Sequence, residues 1–201
     1  MKKWILFLLI GVFMAFGCEG QTAKSDEEVA VIKTNFGDIV LAFHEDAAPQ
    51  HVANFKKLAR EGFYDGCTFH RIIPGFMIQG GDPNSKNDDR ADDGLGGPGY
   101  TIPAEIEMKH QRGSLAAARM GDQMNPEKAS SGSQFYICVV KTSHLDGGYT
   151  VFGETIDGFD VMDTVAIGAY RFVCGQVRIG LFEQGHGAAV EIGHVGIKYV
   201  R

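Results

Sequence analysis

The chain has 201 residues, 44% of them hydrophobic, with 27 glycines, 6 prolines and a formal net charge of −6. This length suits one domain with a well-buried core and is short for two. The acidic balance and the lack of a basic stripe argue against nucleic acid as a partner, and we expect none.

The amino terminus predicts export. A basic start at Met1–Lys3 precedes an apolar run that ends at Phe16, and this run is too short to span a membrane comfortably. Small residues then lead to Cys18, so residues 1–17 are predicted to be a signal peptide.

A cysteine directly after the predicted cleavage point resembles a bacterial lipoprotein signal. We therefore predict a lipid on Cys18 that anchors the protein to a membrane, in the periplasm or cell envelope. Secretory cleavage without a lipid is the alternative. Residues 18–28 are mostly polar and predict a flexible tether, which leaves residues 29–201 for the folded domain.

Hydrophobic patterns along this domain predict eight strands and two helices. Val29–Thr34 and Asp38–Phe43 are typical of a hairpin, and Pro49 begins a helix that Gly62 is placed to end. The other predicted elements are strands at Thr68–Ile73, Phe76–Gln79, Ser114–Arg119, Gln134–Val140, Thr150–Thr155 and Val190–Val200, and a helix at Phe159–Ala166. Strands joined mostly by turns favour a mainly β fold, a closed eight-stranded antiparallel barrel capped by two α-helices.

Two long polar loops, residues 82–100 and 121–131, interrupt these elements. The segment Gly94–Gly99 formally contains G-x-G-x-x-G, but no strand leads directly into it and no helix follows. We interpret it as a flexible turn and not as a dinucleotide site. The acidic run Asp88–Asp93 does not fit the calcium-loop template, and whether Asp82–Gly94 binds calcium in a looser way stays open.

Other residue types that commonly carry chemistry form no recognisable pattern. The seven histidines lack metal-ligand spacing, and no serine lies in the setting of a hydrolase nucleophile. We expect neither a metal nor a cofactor. Cys138 lies in an apolar run and is expected to be buried, whereas a disulfide between Cys67 and Cys174 stays open.

The most informative segment is FHRIIPGFMIQGGD, Phe69–Asp82. Two core strands around a turn would leave Arg71 and Gln79 unexplained, because polar groups among apolar neighbours need partners. The segment resembles the signature of the cyclophilin family of prolyl isomerases almost residue for residue. Further matches follow in the same order, in GSQFYI, LDG and VFG, at residues 132–137, 145–147 and 151–153.

This resemblance covers roughly residues 29–166 and implies the family's barrel, its activity, and proline-containing polypeptides as partners. It implies that Arg71 is the cationic donor to the prolyl nitrogen and that Gln79 holds its guanidinium. The residues implied to bind substrate are Phe76, Met77, Tyr136 and Leu145 in the proline pocket, Ala118 and Gln134 in the adjoining groove, and Arg119 through its backbone.

Three positions depart from the residues that many family members carry. Tyr136 stands where many have Phe, His144 where many have Trp, and Tyr149 where many have His; His144 and Tyr149 are still expected to contact substrate. Because His144 offers less apolar area and lacks the indole donor, cyclosporin binding is expected to be weak. We expect a monomer. No function is predicted for Tyr170–Gly187, and Val190–Val200 is expected to close the barrel.

Two functions fit this pattern. One is an enzyme that isomerises bonds preceding proline and assists the folding of exported proteins. The other is a proline-recognising binding or chaperone module with little turnover. Arg71, Phe76, Met77 and Gln79 together favour the enzyme, because a pure binder has no need of a buried guanidinium.

Overall fold

The computed structural model describes residues 28–168 and 178–183. Its strands are β1 Glu28–Thr34, β2 Gly37–Phe43, β3 Arg71–Ile73, β4 Met77–Gly80, β5 Thr101–Ile102, β6 Ser114–Ala117, β7 Ser130–Ser131, β8 Phe135–Cys138, β9 Val151–Asp157 and β10 Arg178–Glu183. Its helices are α1 Pro49–Arg60 and α2 Phe159–Gly168, with 3-10 helices at Pro83–Lys86 and Ser143–Leu145. No helix of this described part is long and apolar enough to cross a membrane.

Among the described residues, eight strands form one antiparallel sheet in the order β10-β1-β2-β9-β6-β8-β4-β3, and β5 pairs only with β7. Across the described ranges no pairing joins the end strands β3 and β10, so the sheet is an open, curled half-barrel. Ile72 of β3 packs against the same apolar core as Ile179 and Leu181 of β10, so the two ends of the sheet curve around one core. Closure into a full barrel stays a prediction.

The central strands of the sheet are buried on both faces. In β8, Phe135 and Ile137 belong to the main core, whereas Tyr136 belongs to a second apolar cluster. Successive side chains of a strand point to opposite faces, so this second cluster lies on the outer face of the sheet. Met77 of β4 and Ala116 of β6 join it, and we call it the outer cluster.

Helix α1 is capped by a residue far along the chain. Ala48 at its N-cap provides no side-chain hydrogen bond, and the carboxylate of Glu105 instead accepts the backbone N–H groups of Gln50 and His51, each at 3.1 Å. Two donors that would otherwise be unpaired are satisfied, and a negative charge lies at the positive end of the helix. The helix packs Val52, Phe55, Leu58 and Ala59 into the main core.

Glu28, the first residue of β1, forms ion pairs with side chains of α1. Its carboxylate lies 3.0 Å from Nζ of Lys56 and 2.7 Å from Nη2 of Arg60. Lys56 also lies 2.5 Å from the carboxylate of Glu45 and 4.9 Å from the centroid of the Phe43 ring. Because β1 pairs with β2 on one side and β10 on the other, the chain enters the sheet at an interior strand.

Most predicted elements are present, and the differences lie at the carboxyl end and in the loops. Gly62 has a φ of +68° just after α1, as its predicted role as a helix terminator requires. Strand β10 was missed: it lies inside Tyr170–Gly187, where Gly180 interrupts the alternating pattern of a strand. The predicted strand Val190–Val200 lies outside the described residues, as do the predicted signal peptide and most of the tether.

Candidate active site

Four neighbouring strands bring predicted site residues into one row on the outer face. Arg71 of β3 is paired with Gln79 of β4, Gln79 with Tyr136 of β8, and Tyr136 with Ala116 of β6. Directly paired residues share a face of the sheet, with Cβ atoms roughly 4.5–5.5 Å apart. The arginine is therefore held on the same rigid surface as the aromatic floor described below.

A chain of side-chain hydrogen bonds, which we call the relay, runs from Arg71 to the segment Gly94–Gly99, which we call the glycine loop. Arg71 Nη1 donates to Gln79 Oε1 at 3.1 Å, and Gln79 Nε2 donates to Gln134 Oε1 at 3.1 Å. Gln134 Nε2 donates to the carbonyl oxygens of Gly94 at 2.9 Å and Gly96 at 2.8 Å. A guanidinium only donates hydrogen bonds and a carbonyl oxygen only accepts them. Both ends of the relay therefore require that the amide oxygen of each glutamine faces the Arg71 end and its NH₂ group faces the loop end.

The exposure of these three side chains differs along the relay. Gln134 is only 6% exposed and Gln79 is half-buried, whereas Arg71 is exposed. The expectation of a buried guanidinium is therefore wrong: Arg71 begins β3, an end strand of the described sheet, and extends from its edge. Its position is restricted by the relay, and its charge stays hydrated.

The outer cluster forms the floor of a cleft of about 780 Å³. The predicted site residues that line it are Arg71, Phe76, Met77, Gln79, Ala118, Arg119, Tyr136, Leu145 and Tyr149. His70, Arg90, Asp93 and Gly94 also line it and were not predicted. Gln134 and His144 do not line the cleft: the Gln134 side chain accepts a hydrogen bond from Gln79, and the exposed His144 ring lies 5.4 Å from the ring of Phe76.

The floor of the cleft is apolar and tightly packed. Met77 is 1% exposed and Tyr136 is 4% exposed, with Phe76, Leu145 and Tyr149 half-buried around them. The Tyr149 ring meets the Tyr136 ring edge-on, with centroids 5.9 Å apart. An apolar concavity with a few polar groups at its rim can hold a small ring and orient the groups attached to it.

The side chain of Arg119 joins two walls of this cleft. Its guanidinium donates to the carbonyl oxygens of Gly148 at 2.6 Å and Met120 at 2.9 Å, and pairs with Asp122 at 2.7 Å. It also lies 4.5 Å from the centroid of the Tyr149 ring. The sequence predicted a contact through the Arg119 backbone and did not anticipate that its side chain ties the loop after β6 to the loop before β9.

The hydroxyl of Tyr136 has a buried partner, His110, that the sequence did not predict. Tyr136 Oη lies 2.9 Å from Nε2 of His110, and His110 Nδ1 lies 3.0 Å from Oδ1 of Asp146. Burial of the fully enclosed His110 lowers its pKa, and burial raises the pKa of Tyr136. Bonds from the backbone and ring of His110 lower the pKa of Asp146. The available signal was Tyr136 itself, because a buried hydroxyl requires a partner.

His70 occupies the end of the cleft beside Arg71. Its two ring nitrogens are buried and have no hydrogen-bond partner among the described residues. Burial lowers the pKa of His70, and the nearby Asp82 and Asp93 oppose this shift. An ion pair of 2.9 Å between Arg90 and Asp93 borders the same end. This end of the cleft is polar, in contrast to its apolar floor.

The glycine loop is held by more contacts than a flexible turn requires. The buried carboxylate of Asp82 accepts the backbone N–H groups of Asn84, at 2.8 Å, and of Gly94. A Cβ at Gly96 would collide with Asp82 and Asn84, so glycine is needed for this close approach. Within residues 28–168 and 178–183, no three His, Cys, Asp or Glu side chains meet in a way that could hold a metal ion.

Cys67 and Cys138 are buried thiols. Cys138 Sγ lies 3.2 Å from Oγ1 of Thr142, and the predicted burial of Cys138 is confirmed. Burial raises the pKa of Cys67 to about 11. Cys174 lies outside the described residues, so the Cys67–Cys174 disulfide stays a prediction.

Known proteins share both the sequence and the fold. Residues 29–179 match the family model described as cyclophilin type peptidyl-prolyl cis-trans isomerase/CLD. A peptidyl-prolyl cis-trans isomerase of Synechococcus elongatus is 48% identical over 129 residues, which cover 64% of this chain and 80% of that protein. Peptidyl-prolyl cis-trans isomerase B of Bacillus subtilis is 44% identical over 133 residues, which cover 65% of this chain and 84% of that protein.

Solved structures agree with these matches. A cyclophilin type peptidyl-prolyl cis-trans isomerase of Cryptosporidium parvum gives a TM-score of 0.67 at 30% identity, covering 76% of this chain and 95% of that one. The same isomerase, crystallised in the presence of the dipeptide Ala-Pro, gives a TM-score of 0.63. Because the family model spans residues 29–179 and these relatives are matched over most of their own length, this chain belongs to the cyclophilin-type peptidyl-prolyl cis-trans isomerases.

Proposed function

We propose that Arg71 catalyses the isomerisation by donating a hydrogen bond to the prolyl nitrogen of a bound X–Pro peptide. In this proposal the proline ring sits against Phe76, Met77, Tyr136 and Leu145. The observation that supports the proposal is the relay. It holds the guanidinium of Arg71 in place at the rim of an apolar cleft, although the side chain is exposed.

The chemistry follows from the electronic structure of the amide. Resonance holds an X–Pro bond behind a barrier of about 18–20 kcal/mol, so that unaided isomerisation takes ~10–100 s. The prolyl nitrogen gains a localised lone pair only as the bond twists. A cationic donor aimed at that nitrogen therefore stabilises the transition state more than either ground state. One positioned donor contributes about 3–4 kcal/mol to such a step, and holding the ring while the preceding carbonyl rotates contributes the remainder.

The chain on either side of the proline needs a groove next to the cleft. Ala118 lines the cleft, and Gln134 lies beside it with its backbone carbonyl already bonded to the N–H of Ala118 at 2.9 Å. We propose that the substrate backbone runs along these residues and bonds the backbone of Arg119, with Tyr149 and His144 bordering its path. This arrangement would accept many sequences, because its polar contacts are to main-chain groups.

Substitution of Arg71 tests this function. Arg71→Ala is expected to lower turnover by ~10²–10³, since the donor to the prolyl nitrogen is lost. Affinity for a proline peptide is expected to fall much less, because the apolar floor is intact. Arg71→Lys should recover little activity, since an ammonium cannot present the planar fork that Gln79 orients. Turnover is measured on a short Ala-Pro peptide and affinity by calorimetry.

Thermal unfolding serves as the control, because both variants must melt close to the wild-type temperature for the comparison to hold. A folded Arg71→Ala protein with nearly wild-type turnover would contradict the proposal. Tight peptide binding with no wild-type turnover would instead favour the proline-binding module over the enzyme.

We also propose that the protein works outside the cytoplasm on exported polypeptides that contain proline, anchored through a lipid on Cys18. The basic start, the short apolar run and the adjacent cysteine support this proposal. Mass spectrometry of the mature amino terminus from the native host tests it. We expect a protein that begins at Cys18 and carries acyl mass, and an unmodified amino terminus would refute the anchor.

Closure of the barrel is a further structural proposal, with Val190–Val200 as the closing segment. The shared core of β3 and β10 supports it, because it brings the two open ends of the sheet around the same apolar side chains.

A further inference from the structure

We propose that His110, held by Asp146, is a positioning residue of the active site that directs the hydroxyl hydrogen of Tyr136 away from the face on which the proline ring rests. The inference depends on the proposed seat of that ring against Tyr136. It concerns groups that lie below the cleft: neither His110 nor Asp146 lines it.

The direction of each hydrogen follows from what each group can donate. Two bonds from His110 converge on Oδ1 of Asp146, one from the backbone N–H at 2.8 Å and one from the ring Nδ1 at 3.0 Å. An ionised carboxylate only accepts, so Nδ1 carries the proton. In a neutral imidazole the other nitrogen is then an acceptor, and Tyr136 must donate its hydroxyl hydrogen to Nε2 across the 2.9 Å contact.

The geometry of the two rings favours this bond. The planes of His110 and Tyr136 lie within 3° of each other. A phenolic hydrogen prefers the plane of its own ring, because the oxygen lone pair conjugates with that ring. Parallel ring planes are compatible with a hydrogen that points at Nε2 while it stays near the plane of its own ring. The cleft then meets the face of an aromatic ring with no unpaired donor, although the residue is a tyrosine.

Protonation of His110 would reverse the bond. Nε2 would become a donor, and the hydroxyl hydrogen of Tyr136 would have to turn elsewhere at the floor of the cleft. Arg119 is near Tyr136 but only donates, so it cannot accept this hydrogen. A free donor beneath the proline ring requires solvation that the ring excludes, so binding and turnover should weaken together.

The charged and titratable groups around His110 act in both directions. Asp146 favours its protonation, and His144 on the neighbouring 3-10 helix opposes it. Lys109, adjacent in sequence, acts on Asp146. Cys138, Tyr149, Arg119 and Asp146 act electrostatically on Tyr136. Because the charge of His144 acts on His110, the test must separate its effect from that of His110.

The experiment compares pH profiles of kcat/KM for the wild type and Tyr136→Phe, measured by NMR exchange on an Ala-Pro peptide from about pH 8 to about pH 4. The range extends below ordinary histidine titration because burial lowers the pKa of His110. This assay needs no coupling protease. The wild type should lose activity in acid, whereas Tyr136→Phe should lose much less, because it has no hydroxyl for His110 to direct. His144 is present in both proteins, so its contribution cancels.

A double-mutant cycle tests the same coupling at neutral pH. His110→Phe removes the acceptor and should lower kcat/KM about tenfold when Tyr136 is present, through an unpaired buried donor. In the Tyr136→Phe background the same change should matter less than about twofold. His110→Gln supplies an acceptor that does not titrate, and it should restore activity while flattening the acid limb. The apolar double variant has no unpaired group and keeps the test informative if His110→Phe alone folds poorly.

Parallel pH profiles, or an equal loss from His110→Phe in both backgrounds, would overturn the inference and leave His110 a merely structural residue. These outcomes differ from a failure of the proposed function. If the proline ring did not rest on Tyr136, an active wild-type protein would show no change in the Tyr136 ring resonances when the Ala-Pro peptide is added.

Discussion

Removal of the Gln134 side chain should separate the orientation of Arg71 from the presence of its charge. Gln134→Ala deletes three hydrogen bonds, one from Gln79 and two to the loop carbonyls of Gly94 and Gly96. At about 0.5–1.5 kcal/mol each, and with water able to reach the exposed Gly94, we expect a loss of about 2 kcal/mol in the free energy of unfolding. For a domain of this size that corresponds to a fall of about 4–8 °C in Tm.

Gln134→Ala should also impair catalysis in the molecules that remain folded. Without Gln134 the amide of Gln79 is free to turn, and Arg71 loses a fixed acceptor, although its charge and its place on β3 are unchanged. We expect kcat/KM to fall roughly 10–100-fold, mainly through kcat, because misdirected groups lose transition-state stabilisation. The measurement is isomerase turnover on an Ala-Pro peptide beside thermal unfolding of the same samples.

Asn125→Ala is the matched control. Asn125 also fastens a loop, through bonds of 2.7 and 3.1 Å with the backbone of Ala129, and it does not contact the relay. It should lower Tm by a similar amount with little change in turnover. If Gln134→Ala kept wild-type kcat/KM, the relay would not direct Arg71 and our account of catalysis would be wrong.

Two further predictions concern histidines. Burial lowers the pKa of His51, His70 and His110, whereas unfolded histidines titrate near 6.5, so the unfolded chain binds more protons below that pH. The free energy of unfolding should therefore fall as pH drops below about 6.5, and equal urea midpoints in weakly alkaline and weakly acidic buffer would contradict this. His144→Trp should tighten cyclosporin inhibition markedly, by restoring a large aromatic surface and a donor beside Phe76; strong inhibition of the wild type would show that this position does not limit binding.

One contiguous segment, Phe69–Asp82, made much of the site predictable from the sequence. Arg71, Met77 and Gln79 lie on two paired strands and Phe76 lies in the turn between them, so a linear motif was enough to identify them and local pairing was enough to bring them together. Tyr136 and Leu145 were predictable because their motifs are equally distinctive. These residues do line one cleft, although their roles stay predictions.

What the sequence did not reveal depends on contacts between distant loops. Gln134 was predicted to bind substrate, yet its amide is used by Gln79 and by the glycine loop, 38–40 residues away in sequence. His110 gave no signal because a lone histidine in a loop has many uses. Strand β10 was hidden by the glycine within it, since a strand signal requires an unbroken alternation. The exposure of Arg71 depends on which strand lies at the edge, and local patterns do not carry that information.

The attachment of Glu28 to α1 has a mechanical consequence. A pull on the residues that precede Glu28 would act along the axis of β1, which is paired over Glu28–Lys33 with β10 and over Ala30–Thr34 with β2. Force in that direction shears two ladders of hydrogen bonds at once and cannot open them one by one. The ion pairs of Glu28 with Lys56 and Arg60 would carry part of the load into the helix at the same residue that forms the first pair of β1 with β10. The cleft, built on β3, β4, β6 and β8, lies on other strands of the sheet, so tension at this end of the chain would be borne without distorting the surface that meets the substrate.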